Sequence, residues 1–442
     1  MNKPAEKLVR FDDALQVVIE FVRAKLGGSD VPLLIVRDLQ GRVRIAVDNR
    51  QGTAEFLLPD KRENLAKELH VRLGAFSPGQ RSIFMLASDM FDARVVFENH
   101  DALPVALEGF APSLRLLERS VMGADWLREP FPVEPHAPRV TFFGLKGGVG
   151  RSTAAAVWAW RLAEAGRRVL VLDLDLESPG LSSTLLSSEN HPDYGIVDWL
   201  VEDVVGQSDE RLLQQMIARS PLSQNSEGEI RIIPAGGRLS ENYSYLPKLA
   251  RAYSGMEGQE FGDRLVRFVE QAEAHAKPDV TFIDSRAGLH DIAAVAVTRL
   301  RAQCLLFAAN TQQTWDGYGL LFAEWREHYE RARLFRENLK IVAAQVPETN
   351  VDDYLKDFRL KAYDLFWKNL YEQTAAGSLD TFNYDMNDPE APHSPLRINW
   401  SRAAQQFDPV RHPESLTEPQ IHAAFGQFVA DANLMTFGEQ PR

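Results

Sequence analysis

The chain has 442 residues, 45% apolar and 25% charged, a length and mixture that allow two or three folded domains around sizeable cores. Its formal net charge of −13 opposes non-specific binding to nucleic acid by the chain as a whole. No run approaches the roughly 20 consecutive apolar residues of a membrane-spanning helix. The first residues lack the apolar core of a secretion signal. The single cysteine, Cys304, has no disulfide partner and is expected as a buried thiol, so a cytoplasmic location follows.

Residues 1–127 open with a helical pattern over 11–26, where Leu15, Val18, Ile19 and Val22 recur at helical spacing. A hairpin is expected next, with strands at 31–37 and 42–47 around a turn at 39–41. A helix at 62–73 and a strand at 94–97 complete a small α+β module of unassigned role. Its acidic cluster, Asp89, Asp92 and Glu98, reads as a solvated face. Residues 128–138 contain four prolines and form an extended linker.

From residue 139 apolar strands alternate with helices. Strands are expected at 139–143, 169–174, 229–233, 280–284, 304–309 and 339–344. Helices are expected at 152–165, 263–275, 292–300 and 318–334. Near-continuous apolar strands between helices indicate a doubly wound, mostly parallel sheet covered on both faces, spanning 139–346. Residues 347–442 read as a helical extension packed on that domain, with an aromatic-rich helix at 354–371, a proline-rich loop at 388–395 and a closing helix at 419–434.

The strongest chemical signal is Leu145-Lys146-Gly147-Gly148-Val149-Gly150-Arg151-Ser152-Thr153, between a strand and a helix. Glycines let a loop turn its amides inward onto phosphate oxygens, and the following helix adds its N-terminal dipole. A basic residue then reaches the β- and γ-phosphates, and the next hydroxyl binds Mg²⁺. Arg151 and Ser152 occupy those places. The strict pattern fails twice, with Leu145 for its first glycine and Arg151 for its lysine.

The segment instead resembles the deviant Walker A motif of the ParA/MinD family of ATPases, K-G-G-x-G-K-[ST], over a region from 139 to about 345. Three further motifs fall in the family's order. Val169 to Glu177, carrying Asp173 and Asp175, is similar to the family's strand plus switch I, with Leu176 and Glu177 where the family has Pro and Gln. Val280 to Gly288, carrying Asp284, resembles Walker B plus switch II, with Arg286 in place of a proline, either touching phosphate or solvated. The strand ending at Gln345 stands where the family's adenine-contacting Asn lies; a surface glutamine is the plain alternative.

The resemblance implies ATP and Mg²⁺ as ligands. It assigns the phosphate cradle to Gly147, Gly148, Val149, Gly150, Arg151, Ser152 and Thr153, with Gln345 at the base. It assigns the metal to Ser152, Asp173 and Asp284, the attacking water to Asp175, and a contact across an ATP-dependent homodimer to Lys146. A lysine that only caps its own loop is the other reading. Because Arg and Lys differ in shape, Arg151 leaves open a protein that binds ATP as a scaffold without turnover.

For the output, residues 421–434 carry no Lys or Arg, which disfavours membrane anchoring. Arg326, Arg331, Arg333 and Arg336 alternate with Glu324, Glu327, Glu330 and Glu337, so they read as a solvated helix with internal pairs, not a nucleic-acid patch. The spelling K-G-G-V-G-R with D-L-D-L-E resembles a variant subgroup found in bacterial conflict and antiphage systems. It implies a slowly hydrolysing switch that regulates a separate protein effector.

Overall fold

The computed structural model describes residues 8–27, 31–50, 52, 54–105, 114–120, 123–240, 243–253, 260–373, 381–415 and 417–438. The chain divides into two compact units, Met1–Ala124 and Asp125–Arg442.

In the first unit, α1 (Phe11–Lys25) buries Ala14, Val18, Phe21 and Val22, one stripe of an amphipathic helix. Strands β1 (Leu33–Arg37) and β2 (Val43–Val47) pair antiparallel with Leu33 opposite Val47. Asp38 closes their turn by accepting the amides of Gln40 and Arg42, each at 3.0 Å. After α2 (Pro59–Leu73) come β3 (Phe84–Leu86), α3 (Arg94–Phe97), β4 (Leu103–Pro104) and β5 (Arg115–Glu118), giving a five-stranded sheet ordered β3-β2-β1-β5-β4. The expected strand at 94–97 is thus a helical turn. Asp92 accepts the Arg94 amide at 3.0 Å and also pairs with its guanidinium at 2.8 Å, which favours helix initiation over extension.

The second unit is built on an eight-stranded sheet. Its strands are β6 (Arg139–Gly144), β7 (Arg168–Leu174), β8 (Ala218–Arg219), β9 (Glu229–Ile233), β10 (Val280–Ser285), β11 (Gln303–Ala308), β12 (Leu339–Val346) and β13 (Leu396–Asn399). They run β13-β12-β11-β6-β10-β7-β9-β8, parallel except for β8. The helices are α4 (Arg151–Glu164), α5 (Leu181–Leu185), α6 (Ile196–Val204), α7 (Glu210–Met216), α8 (Tyr245–Ala252), α9 (Phe261–Ala276), α10 (Asp291–Ala294), α11 (Gln312–Glu327), α12 (Tyr329–Ala332), α13 (Val351–Asn369) and α14 (Glu418–Phe437).

Strand residues alternate between the two faces. Val169 and Val171 join α4, α5 and α14 on one side, while Leu170, Leu172 and Leu174 join α6, α7, α9 and α10 on the other. Helices α11 and α13 cover the remaining half of that second face. Trp158 of α4 is buried against Phe282 and Phe428, at ring distances of 4.6 and 5.7 Å, and donates its indole N–H to Asn433. These contacts fix α14 across the helix that follows the glycine loop.

Two expectations are corrected here. The 347–442 segment is not only helical: Leu396 and Ile398 turn inward to the core and their strand extends the sheet beside β12. The helix expected at 318–334 ends at Glu327 and restarts at Tyr329. The last arginine of the 326–336 charge cluster is no solvated side chain, because Arg336 is buried and bonds Tyr329, Glu372 and the Leu370 carbonyl.

Candidate functional site

The C-terminal ends of three adjacent parallel strands, β6, β10 and β7, converge where the strand order reverses. In open α/β sheets such a reversal forms a crevice. β6 runs into the glycine loop, and α4 begins directly behind it. Gly148 and Gly150 have φ of +75° and +86°, a left-handed conformation that a side chain would strain. Gly147 and Gly148 are exposed, Val149 anchors the loop in the core, and Ser152 and Thr153 are half-buried in the first turn.

The N-terminal arm of the loop docks on α11. Leu145 lies so close to Gly317 that a β-carbon there would meet its Cδ1 at 2.8 Å. One turn earlier on the same helix, Gln313 Oε1 accepts a hydrogen bond from Lys146 Nζ. Neither Gln313 nor Gly317 belongs to a recognisable motif, and their role is visible only in three dimensions. Leu145, read as a missing glycine, is an apolar anchor.

Asp173 and Asp284 are opposite one another in the register of β7 and β10, and both are buried. Ser152 Oγ donates to Asp284 Oδ2 at 2.7 Å, while Asp284 Oδ1 is buried with no partner. Asp173 accepts the Ser182 amide at 2.9 Å. Burial foremost, and then the neighbouring Asp284, push the Asp173 carboxyl well above its ordinary range. Burial pushes Asp284 up as well, against the lowering effect of the Arg151 charge. Asp175 is half-buried, raised by burial, and accepts the Ser178 amide at 3.2 Å.

Arg151 is buried, its guanidinium donating to the Ser285 carbonyl. Gly144 makes this possible, since a β-carbon there would lie 3.2 Å from Arg151 Cδ. Arg286 is half-buried and forms a 2.7 Å ion pair with Glu177. Gln345 has a left-handed φ of +59°, beside an irregularity in the β12–β13 pairing, and its side-chain amide donates to the Gly148 carbonyl at 2.7 Å. The structure therefore brings all four motifs to one end of the sheet and ties the fourth to the first by a hydrogen bond.

No group of three His, Cys, Asp or Glu side chains among the described residues is arranged to hold a metal ion unaided. The donors present do fit a divalent cation that also takes oxygens from a bound phosphate. A hydroxyl, an unpartnered buried carboxylate oxygen and a second buried carboxylate lie together, and hard cations favour such oxygen ligands.

Residues 139–298 match a family model described as an AAA domain. Over 37 residues the chain is 54% identical to putative arsenical pump-driving ATPase 2 of Aquifex aeolicus (strain VF5), a match covering 8% of this chain and 12% of that protein. The likeness is to ATPases. The chain thus spans about one eighth of the length of that curated relative. Among solved structures it is similar to a ParA family ATPase from Chlorobium tepidum TLS, with 17% identity, 67% and 98% of the two chains covered and a TM-score of 0.41. It is also similar to the cell division ATPase MinD of Pyrococcus furiosus, with 16% identity, 68% and 99% covered and a TM-score of 0.40. A third is cobyrinic acid a,c-diamide synthase from Mycobacterium smegmatis with bound ATP analog and magnesium, with 17% identity, 69% and 98% covered and a TM-score of 0.41.

Proposed function

We propose that the second unit is a Mg-ATP-binding switch of the ParA/MinD type that turns over slowly, dimerises when loaded and regulates a separate protein effector. The observation that carries this reading is the buried, unpartnered Oδ1 of Asp284 beside Ser152 at the mouth of a glycine loop. An orphaned carboxylate oxygen costs stability in the free chain, and a cation relieves that cost.

In this reading the amides of the 147–153 segment and the N-terminal dipole of α4 bind the phosphates. Ser152, Asp284 and Asp173 hold Mg²⁺. The cation, when bound, neutralises charge on the phosphate oxygens. Arg151 exchanges its bond to the Ser285 carbonyl for the terminal phosphates. Asp175, with its affinity for protons raised by burial, orders the attacking water. Gln345 holds the loop apex through Gly148 and, in this reading, stands near the adenine base.

Lys146 is bonded to α11 and not to its own loop, as suits a cation that serves a second copy of the chain. Among the described residues no helix is long and apolar enough to cross a membrane, and the closing helix lacks the cations of a surface anchor. The motif spelling leads us to infer a regulatory ATPase of a bacterial antiphage system.

A second reading, an ATP-binding scaffold without turnover, draws on the buried position of Arg151, whose cation is already engaged by Ser285. Calorimetric titration with Mg-ATP, followed by a phosphate-release assay, tests both. No heat of binding would overturn the central reading, and binding without release would select the scaffold.

A further inference from the structure

The segment from Asp175 to Gly180 joins β7 to α5, and its hold on the rest of the unit comes largely from side chains. Tyr245 donates its hydroxyl to the Leu176 carbonyl. Tyr253 donates to Glu177 Oε1 at 2.5 Å, and Arg286 Nη1 lies 2.7 Å from the same oxygen. These two tyrosines flank α8 at its start and just past its end, so that helix is bonded to the loop at both ends. Tyr253 is itself fixed by ring contact with Phe261, at 4.9 Å, on the first turn of α9.

Arg286 follows Asp284 by two residues, and Glu177 follows Asp175 by two. The Glu177–Arg286 pair therefore joins the loop that carries Asp175 to the loop that leaves Asp284. Glu177 is 22% exposed and Arg286 27%, so the pair is shielded more than an ordinary surface pair. The Gly288 amide adds a bond to the Gly144 carbonyl at 3.0 Å, tying the second loop to the strand that feeds the glycine loop.

We propose that Glu177 is a positioning residue, the junction that couples the 175–180 loop, the 285–289 loop and α8 and thereby fixes Asp175. This rests on the reading of Asp175 as the group that orders water. Motion of either loop is transmitted to the other through one carboxylate, and to α8 through Tyr253 and Tyr245. A nucleotide that shifts the loops then alters the face that α8 presents, where Leu246 is 74% exposed.

The test uses the full chain without nucleotide, followed by hydrogen exchange at 175–182 and 285–290. Ser178 is the reporter, because its amide donates to Asp175 Oδ1. Glu177→Gln retains an acceptor for Tyr253 and removes the charge that holds Arg286. In Glu177→Gln, and equally in Arg286→Gln, exchange should rise in both segments by about tenfold, the loss of one charge-assisted hydrogen bond. Exchange in α9 should not change, which separates the effect from general destabilisation. Glu177→Lys combined with Arg286→Glu should restore protection.

With Mg-ATP, Glu177→Gln should keep the thermal shift while phosphate release falls by about tenfold, the kinetic signature of a displaced group. Exchange that rises only in the mutated segment overturns the coupling. Exchange that rises in both while the Ser178 amide stays protected overturns the positioning of Asp175. A wild type that shows no Mg-ATP shift overturns the nucleotide reading alone, and the exchange results still decide the coupling.

Discussion

Ser152 Oγ donates to Asp284 Oδ2 at 2.7 Å, and the other oxygen of that carboxylate is buried without a partner. The same pair that would hold a cation therefore weakens the chain that lacks one. Asp284→Asn should leave the nucleotide-free protein at least as stable as wild type, since the amide oxygen still accepts from Ser152 and the buried charge is gone. It should also abolish the rise in Tm with Mg-ATP, which for wild type corresponds to about 2.7 kcal/mol at a hundredfold excess over Kd. Ser152→Ala should reduce that rise. Differential scanning fluorimetry with and without EDTA measures both effects. A full Mg-ATP shift in Asp284→Asn would remove Asp284 from the site.

Asp173 gives a pH dependence of definite sign. Its folded-state carboxyl binds a proton more tightly than the unfolded one, because burial and the neighbouring Asp284 disfavour the anion. Its stabilising contribution is complete below the ordinary carboxylate range near 3.8. It is lost progressively as pH rises from there through the raised folded value. Every tenfold gain in proton affinity on folding corresponds to about 1.4 kcal/mol. Asp173→Asn retains an acceptor for the Ser182 amide and should exceed wild type in Tm at pH 8 by a few degrees, on the order of the change expected for ~1 kcal/mol. The difference should vanish near pH 4. Parallel curves for the two proteins across this range would show that Asp173 is not destabilised in the free chain.

The legibility of this chain differs by element. The parallel sheet was readable because strands such as 169–174 and 280–284 are apolar at nearly every position before their terminal carboxylates, as burial on two faces requires. The chemistry was readable because carboxylates at the tips of such strands are out of place without a cationic partner. The register of Asp173 against Asp284 then follows from where each motif stops. What sequence could not supply were contacts made by residue types common everywhere: Gln313 under Lys146, Gly317 under Leu145, and the hydroxyls of Tyr245 and Tyr253. The helix break at His328 and the burial of Arg336 escaped for a related reason. Alternating charge looks solvated until a distant partner such as Glu372 is brought to it by the fold.

Arg151 carries two roles that substitutions can separate. Its charge lowers the proton affinity of both Asp175 and Asp284, and its guanidinium satisfies the Ser285 carbonyl. Arg151→Ala removes that buried bond and should cost about 1–3 kcal/mol in the free protein. It should also lose most of the Mg-ATP affinity. Arg151→Lys keeps the charge and should retain binding, with equal or faster phosphate release. Gly144→Ala places a β-carbon 3.2 Å from Arg151 Cδ and 3.4 Å from the Phe307 carbonyl oxygen, so it should weaken binding without touching a ligand atom. Titration calorimetry on the three variants decides the matter. Equal affinities for Arg151→Ala, Arg151→Lys and wild type would show that this cation stays with Ser285.

Lys146 offers the sharpest test of assembly. In the single chain its ammonium is held by Gln313 on the first turn of α11, and Leu145 packs against Gly317 one turn further along. The arm is thus braced on a helix, which leaves its cation outside its own phosphate loop. Two nucleotide-loaded faces repel one another unless each receives a positive charge from the opposite copy. Removing that charge from a desolvated interface costs about 2–5 kcal/mol, or roughly 30- to 5000-fold in the dimer constant. Light scattering with Mg-ATP should therefore show Lys146→Ala as monomer. Gln313→Ala releases the ammonium and should dimerise at least as well as wild type. Asp175→Ala, which leaves binding intact and slows turnover, should give the longest-lived dimer. Dimerisation of Lys146→Ala equal to wild type would sink the model of a lysine shared between copies and return Lys146 to a structural role on α11.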